Sequence, residues 1–398
     1  MTDVVEMTRV TSDLPDGWRS VPFSALADYV NGRAFKPEDW GTKGLPIIRI
    51  AQITNPNAEA NFFDGEVDPR NLIDSDDLIF SWSATLAVMR WTKGPAILNQ
   101  HLFKVTPKKG VDRDWLRYRL EASMPDLADE AHGTTMKHIR KGTLSSKTTF
   151  VPSLDEQRRI AEVLRSVDEA IAASQATLNQ SEVALSALSD ELFAAAMPGV
   201  GNEWRQYALE DMLDNIIDYR GVPPPKADSG IPLLTAKNVR FGYLDFEPRE
   251  FIAAHDFDSW MRRGLPSAGD IMFTTEAPLG NVAEFPDIKA ALGQRTLTLV
   301  PKPGALDAKF LKWLLLSKPV QALIWSHATG STAKGIKQRT FRKLKFGFPT
   351  LHEQVRIAEV MEDIGAARDA AKRSNEAYAV MKAHLMSDLL SGQVRVPV

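Results

Sequence analysis

The sequence predicts an α+β protein: two tandem copies of one mixed α/β domain in a pseudo-twofold arrangement, separated by two long helices that pair as a coiled coil. Three observations predict it. The chain repeats itself once, Trp18 of "GWRSVPFSALADYV" returning as Trp204 of "EWRQYALEDMLDNI", a spacing of 186 (204 less 18). Each copy opens on short β-rich runs punctuated by turn residues. Each closes on about forty residues without proline, in which apolar side chains recur every seven.

Residues 1–150 form the first domain, with "LPIIRI", "DLIFSW" and "HLFKVTP" as its strands. Gly44 and Pro46 of the first strand return at the same spacing as Gly230 and Pro232. Residues 151–197 are the first rod: neither Gly nor Pro occurs from Leu154 to Ala196, and "MPGVG" ends it. Leu164, Ile171, Leu178, Leu185 and Leu192 form one heptad series, with Ile160, Val167 and Leu188 in a second. At about 1.5 Å per residue the rod is roughly 60 Å long, and so thin a helix buries its seam only against another rod. Residues 198–347 repeat the domain with "IPLLTA", "DIMFTT" and "TLTLV" as strands. By "GTTMKHI" and "GSTAKGI" short insertions have raised the offset to 197 (330 less 133). Residues 348–398 supply the second rod, with Ile357, Met361, Ile364, Ala371, Tyr378, Leu385 and Leu389 on a seam that Arg368, Asn375 and Lys382 interrupt. Both rods open on the same phrase, "VPSLDEQRRIAEVL" and "FPTLHEQVRIAEVM".

Composition sets bounds on function. The 398 residues are 44% hydrophobic with a formal charge of −3, which supports real cores and does not advertise a nucleic-acid binder. Cysteine is absent, so thiolate chemistry and disulfides are excluded, as suits a reducing compartment. No apolar run has the length of a signal peptide or a membrane span, and a soluble, cytoplasmic chain without a membrane partner is expected.

Charge is nevertheless concentrated, twice, in the same place. "GTTMKHIRKGTLSSK" carries Lys137, His138, Arg140, Lys141 and Lys147 without an acid, and "GSTAKGIKQRTFRKLK" carries Lys334, Lys337, Arg339, Arg342, Lys343 and Lys345, again without one. The hydroxyls of Thr134, Thr135, Ser331 and Thr332 stand in the same loops, a composition that suits phosphate contact. Elsewhere the framework repeats while polar side chains able to touch base edges are exchanged. Arg49, Gln52, Trp82, Arg90 and His101 stand in the first copy against Lys237, Asn238, Thr275, Glu276 and Arg295 in the second. Two stiffly linked units of this kind fit a two-part DNA site.

Catalytic patterns fail on inspection. "DEAH" at Asp129–His132 precedes a pseudo-phosphate loop, "GSTAKGIK", that has Ile336 where lysine is required. A loose nuclease pattern, Asp287, Asp307 and Lys309, is permissive; the first copy has Asp114 where Lys309 stands, and Asp307 is better placed as a helix N-cap. His101, His138 and His352 align with Arg295, Gly335 and Asp155, so no histidine chemistry is shared.

The order "GLPIIRI … DDLIF … NQHLFKV … GTTMKHI … VPSLDEQRRIAEVL", repeated through "FPTLHEQVRIAEVM" to "LLSGQVRV", resembles the specificity subunit of type I restriction-modification systems from about Leu14 onward. The resemblance implies two target-recognition domains, each gripping one half of a split double-stranded DNA site, held apart by long antiparallel coiled-coil helices. It implies no chemistry in this chain. Two DNA-adenine methyltransferase subunits would dock on the helices and restriction subunits would join them, with S-adenosylmethionine, ATP and magnesium on those partners. Glu156, Gln157, Glu353 and Gln354 would then lie at the junction of domain and helix as helix-start and interface residues, the first-turn carboxylates favouring the helix dipole. The rival expectation is a non-catalytic protein-interaction adaptor of a related phage-defence system.

Overall fold

A serine or threonine after a proline, followed by a long apolar-periodic run, is a helix start, and both rods begin that way. The structure is a computed structural model and describes residues 14–55, 58–129, 139, 141–200, 204–219, 221, 223–331 and 333–396. The two long helices span Leu154–Ala194 and Leu351–Ser391, 41 residues each. Ser153 Oγ accepts from the Glu156 amide and Thr350 Oγ1 from the Glu353 amide, both at 3.3 Å, satisfying one of the orphan donors of each first turn. The chain divides into two units, residues 1–173 with 374–398 and residues 174–373, so each unit owns one domain and half of each long helix.

Unit 1 is built on an antiparallel sheet in the order Ala27–Asn31, Leu102–Pro107, Leu78–Ser81, Ala87–Arg90. Leu78–Ser81 is buried on both faces, which explains an apolar run without alternation. Leu78 and Phe80 pack with Trp115 and Leu116 of the helix Arg113–Ala122. Ile79, on the opposite face, packs with Ile48 and Leu98 of a smaller sheet ordered Phe62–Phe63, Leu45–Ile48, Ala96–Leu98, Leu72–Ile73. The start of the central helix and the end of the C-terminal helix lie antiparallel, Ile160 and Leu164 sharing a core with Met386, Leu389 and Leu390, and with Leu385 packed against it. Each fully buried Leu of that seam contributes about 1.5–3 kcal/mol.

Unit 2 repeats the plan: Leu213–Asp218, Thr296–Pro301, Ile271–Thr275 and Leu279–Glu284 in one antiparallel sheet. Ile271 and Phe273 face Phe310 and Leu311 of the helix Ala308–Leu316, and Met272 faces Leu233 and Ile252. The smaller sheet differs at its edges, running Lys226–Ala227, Phe251–Ile252, Ile231–Leu234, Ala291–Leu292. Its parallel pair, Leu233 and Leu234 against Ala291 and Leu292, matches Ile47 and Ile48 against Ile97 and Leu98 in unit 1. Gly44 and Gly230 begin these strands at φ +93° and +138°, and a Cβ on either would collide with the carbonyl of Phe63 or Ile252. Leu185 and Phe193 share a core with Ile357 and Met361, Leu192 and Ile364 pack against it, and Ser174 Oγ donates to the Ala371 carbonyl at 3.0 Å. Ile171 in unit 1 and Leu178 in unit 2 remain half-buried.

Two of the three polar interruptions of the second rod have local answers. Lys382 lies 2.9 Å from Glu121 and 3.0 Å from Asp168, and Asp168 also takes Arg117 at 2.9 Å and the Tyr118 hydroxyl at 2.6 Å. Arg368 pairs with Asp369 at 2.7 Å. Burial pushes the Asp168 carboxyl up, but the hydrogen bonds from Tyr118, Arg117 and Lys382 outweigh it and hold its pKa below the ordinary carboxylate range. With the folded value depressed, this stabilisation is complete above about pH 4 and is lost as pH falls through the folded pKa. Asp168→Asn should therefore destabilise unit 1 by about 1–3 kcal/mol at pH 7 and shrink the loss between pH 5 and pH 2. Urea midpoints measured across that range check both, and a variant with the wild-type acid limb would refute the assignment.

Candidate nucleic-acid interface

In each unit three segments far apart in sequence meet at one end of the larger sheet. In unit 2 the strand Ile271–Thr275 ends where the neighbouring strand Thr296–Pro301 begins, and Thr275 donates its amide to the Arg295 carbonyl at 2.9 Å. The basic loop is tied to the same place, the Ile336 amide donating to the Thr275 carbonyl at 2.9 Å while the Ile336 side chain is buried. Unit 1 repeats the joint: the Ile139 amide donates to the Trp82 carbonyl at 2.9 Å, Ile139 is fully buried, and the Trp82 ring lies 5.7 Å from that of His101, tilted by 52°. Thr329 and Gly335 exchange hydrogen bonds of 2.8 and 2.9 Å, closing a tight loop with Ser331 and Lys334 in its tip. Gly335 lies where a Cβ would sit 2.9 Å from the Glu276 Cβ, so the loop and the strand end approach as only glycine permits. Lys334, Lys337, Arg339, Lys343 and Lys345 are exposed. Arg342 is turned instead to Glu210 at 2.6 Å.

The sequence model of the type I restriction modification DNA specificity domain matches residues 15–182 and 264–377. The chain belongs to this family. Relatives of similar length include the specificity subunits of the type I restriction enzymes EcoBI of Escherichia coli and MjaVIII of Methanocaldococcus jannaschii, each 22% identical. The EcoBI alignment covers 92% of this chain and 83% of the relative; that of MjaVIII covers 96% and 94%. Among solved structures the fold is similar to the S subunit of a type I restriction-modification system from M. genitalium, with a TM-score of 0.65 at 14% identity over 96% of this chain and 98% of that one. A further type I R-M chain matches at a TM-score of 0.55 and 16% identity, over 96% of this chain and all of the other. Among the described residues no helix is long and apolar enough to cross a membrane.

For a specificity-domain protein the positions of the predicted DNA-reading residues matter, and the structure sorts them. Trp82 and His101 in unit 1, and Thr275, Glu276 and Arg295 in unit 2, gather at the joint just described. Lys237 shares a cleft of about 280 Å³ with Arg295, Gln294, Thr235 and Lys226. Arg49 stands in a neighbouring cluster, over the Trp40 ring at 5.2 Å and hydrogen-bonded to Asn61. Thr134, Thr135, Lys137, His138, Arg140 and Thr332 lie outside the described residues, as does the side chain of Lys141.

Three groups of predictions need correction. Gln52 and Asn238 occupy equivalent places but are buried, and their amides clamp their own loops. Gln52 takes the Arg49 amide at 3.0 Å and donates to the Glu59 carbonyl at 2.6 Å; Asn238 takes the Thr235 amide at 2.9 Å and donates to the Asp245 and Pro248 carbonyls. These are loop-forming residues: both amide donors of Asn238 are used, and Gln52 is only 6% exposed. Thr275 is likewise buried, with its hydroxyl on the Arg295 carbonyl at 3.2 Å, and acts by holding Arg295. Arg90 pairs with Asp76, lines a cavity with Arg117, Arg165 and Asp168, and sits opposite Leu78, at the far end of the strand pair from Ser81 and the joint at Trp82.

The repeated E-Q pair has a structural explanation as well. Gln157, fully buried, accepts from the Asp112 amide at 2.8 Å and donates to the carbonyls of Pro152 and Gly110 at 3.0 and 3.2 Å. Gln354 does the same to Asp307, Pro349 and Ala305, at 3.0, 3.0 and 3.1 Å. Asp112 and Asp307 in turn cap the helices Arg113–Ala122 and Ala308–Leu316, so one glutamine side chain fastens the start of each rod to the start of the domain's core helix. Both glutamines are thereby taken off any partner-facing surface. Glu156 is buried, accepting from the Trp18 indole at 3.0 Å and from Arg395 at 2.6 and 2.9 Å, whereas Glu353 is exposed.

Proposed function

We propose that this chain is the sequence-reading subunit of a type I restriction-modification complex, each unit recognising one half of a split double-stranded DNA target. The observation that carries the reading is the joint built twice from the same three segments, with different side chains presented at it: Trp82 and His101 in one unit, Glu276 and Arg295 in the other. A basic loop fastened beside each set supplies backbone contacts that fix register, and the presented side chains supply specificity. Two DNA-adenine methyltransferase subunits seat on the long helices and restriction subunits join the assembly. Exposed apolar side chains at equivalent places, Val183 at 70% and Val380 at 57%, support two like seats. S-adenosylmethionine, ATP and magnesium belong to those partners, and this chain reads and assembles without doing chemistry, in the cytoplasm where its DNA is.

The test is co-expression with the methyltransferase subunit of its own system and mapping of modified adenines. One split motif with a fixed gap is the expected result; a soluble complex that modifies nothing would favour an adaptor. Lys334→Ala and Lys337→Ala should each weaken binding to all sequences about equally and reduce the slope of log affinity against log salt by about 1. Fluorescence anisotropy across a salt series measures this, and unchanged slopes would remove the loop from the interface.

A further inference from the structure

We propose that Arg295, steadied by Glu276, reads a guanine, so that the half-site recognised by unit 2 contains an obligatory G·C pair. The inference rests on the DNA-reading function proposed above and adds a base to it.

The backbone comes first. Arg295 sits at φ +66°, in the left-handed region that residues with side chains rarely adopt and that collects at functional sites. The conformation is enforced from outside: the Arg295 carbonyl accepts both the amide of Thr275, at 2.9 Å, and its hydroxyl, at 3.2 Å, and Thr275 is buried. The side chain is then steadied by one edge only. Arg295 Nε lies 2.9 Å from Glu276 Oε1, with the two side chains 56% and 45% exposed, and neither Nη makes a hydrogen bond among the described residues. Two parallel N–H donors are left at the end of a guanidinium whose rotamer is already restricted. Guanine offers two adjacent acceptors, N7 and O6, on its major-groove edge; adenine and cytosine place a donor there, and thymine has one acceptor beside a methyl group.

The rival use of an exposed arginine is a phosphate contact, and Glu276 argues against it. A carboxylate 2.9 Å from the guanidinium cancels the charge that a phosphate contact uses and repels the phosphate itself. A base edge is neutral and carries no such penalty. Gly335 of the basic loop forms a bridge to Glu276, which seats the pair beside Lys334 and Lys337, exposed cations without an ion-pair partner among the described residues and so suited to phosphate. In unit 1 the equivalent positions hold Ser83 and His101, so the guanine requirement belongs to one half-site.

The test uses the full chain in complex with its methyltransferase subunit. The motif is first mapped, and each guanine of the target is then replaced by 7-deazaguanine, which lacks N7. One guanine, in one half only, should be sensitive, with binding weakened ~10–100-fold. Arg295→Lys, which keeps the charge and loses the paired donors, should abolish that sensitivity and broaden the motif at that base pair alone. A split motif in which no guanine is sensitive would overturn the inference while leaving the specificity-subunit reading intact. So would an Arg295→Lys complex that weakens on every sequence alike. Failure to methylate any split motif would overturn the reading itself, and this inference with it. Should Arg295→Lys not fold, the deazaguanine scan on the unaltered complex decides the matter.

Discussion

Lys312→Ala is expected to destabilise unit 2 by about 3–5 kcal/mol, the cost of stranding charges that have lost a buried partner. The Lys312 side chain is 9% exposed, and its ammonium lies 2.5 Å from Glu284 and bonds Glu362 on the C-terminal helix. Glu362 also takes the indole N–H of Trp313 at 2.7 Å. Without the lysine two carboxylates face each other across a partly dry gap. Lys312→Met combined with Glu284→Gln and Glu362→Gln should recover most of the loss, because it removes all three charges and keeps the volume. Arg117, the equivalent residue of unit 1, should matter less, since Lys382 still neutralises Asp168 and Glu121 when Arg117 is gone. Urea midpoints of the three variants decide it. A loss below about 1 kcal/mol for Lys312→Ala, or one no larger than for Arg117→Ala, would show that the ion cluster does not hold the helix to the domain.

Gln354→Ala, and in unit 1 Gln157→Ala, should each cost about 2–4 kcal/mol. One side chain satisfies one amide and two carbonyls, and its removal leaves those groups buried without partners beside a cavity. The loss should appear where the groups are. Amide exchange at Asp307 should quicken in Gln354→Ala, and at Asp112 in Gln157→Ala, more than elsewhere in the same unit. Glu in place of Gln keeps the size but turns a carboxylate toward two carbonyls, so it should not rescue. Equal exchange at these amides in variant and parent would sink the clamp.

Those glutamines also show where sequence reading stopped. The phrase "P-[ST]-L-x-E-Q" was legible as the entrance to a helix because a cap, an acidic first turn and a heptad are local signals. That its glutamine reaches back to the loop before Asp112 or Asp307 was not legible, since the partners lie 45 and 47 residues away and are backbone groups without a side-chain signature. The exchange of Gln52 for Asn238 looked like a change of base reader; it is a change of loop clamp, the same task performed by an amide one methylene longer. Arg90 has a polar side chain at a variable position, yet the strand's direction carries it to the wrong end of the sheet. Lys382 looked like a flaw in a seam, and Glu121 and Asp168 make it a contact.

What the sequence determined by itself was everything with a period: the repeat, the apolar strands, the two rods and their heptads, and the recurrence of positive charge in one loop. Periodic burial is written in the chain because each turn of helix or step of strand must present the same chemistry to the same neighbour. The tertiary structure alone decided which polar side chains are left over. A hydrogen-bonding group becomes a reader or a clamp according to what lies within 3 Å of it, and that distance is set by strands and loops brought together from opposite ends of a domain.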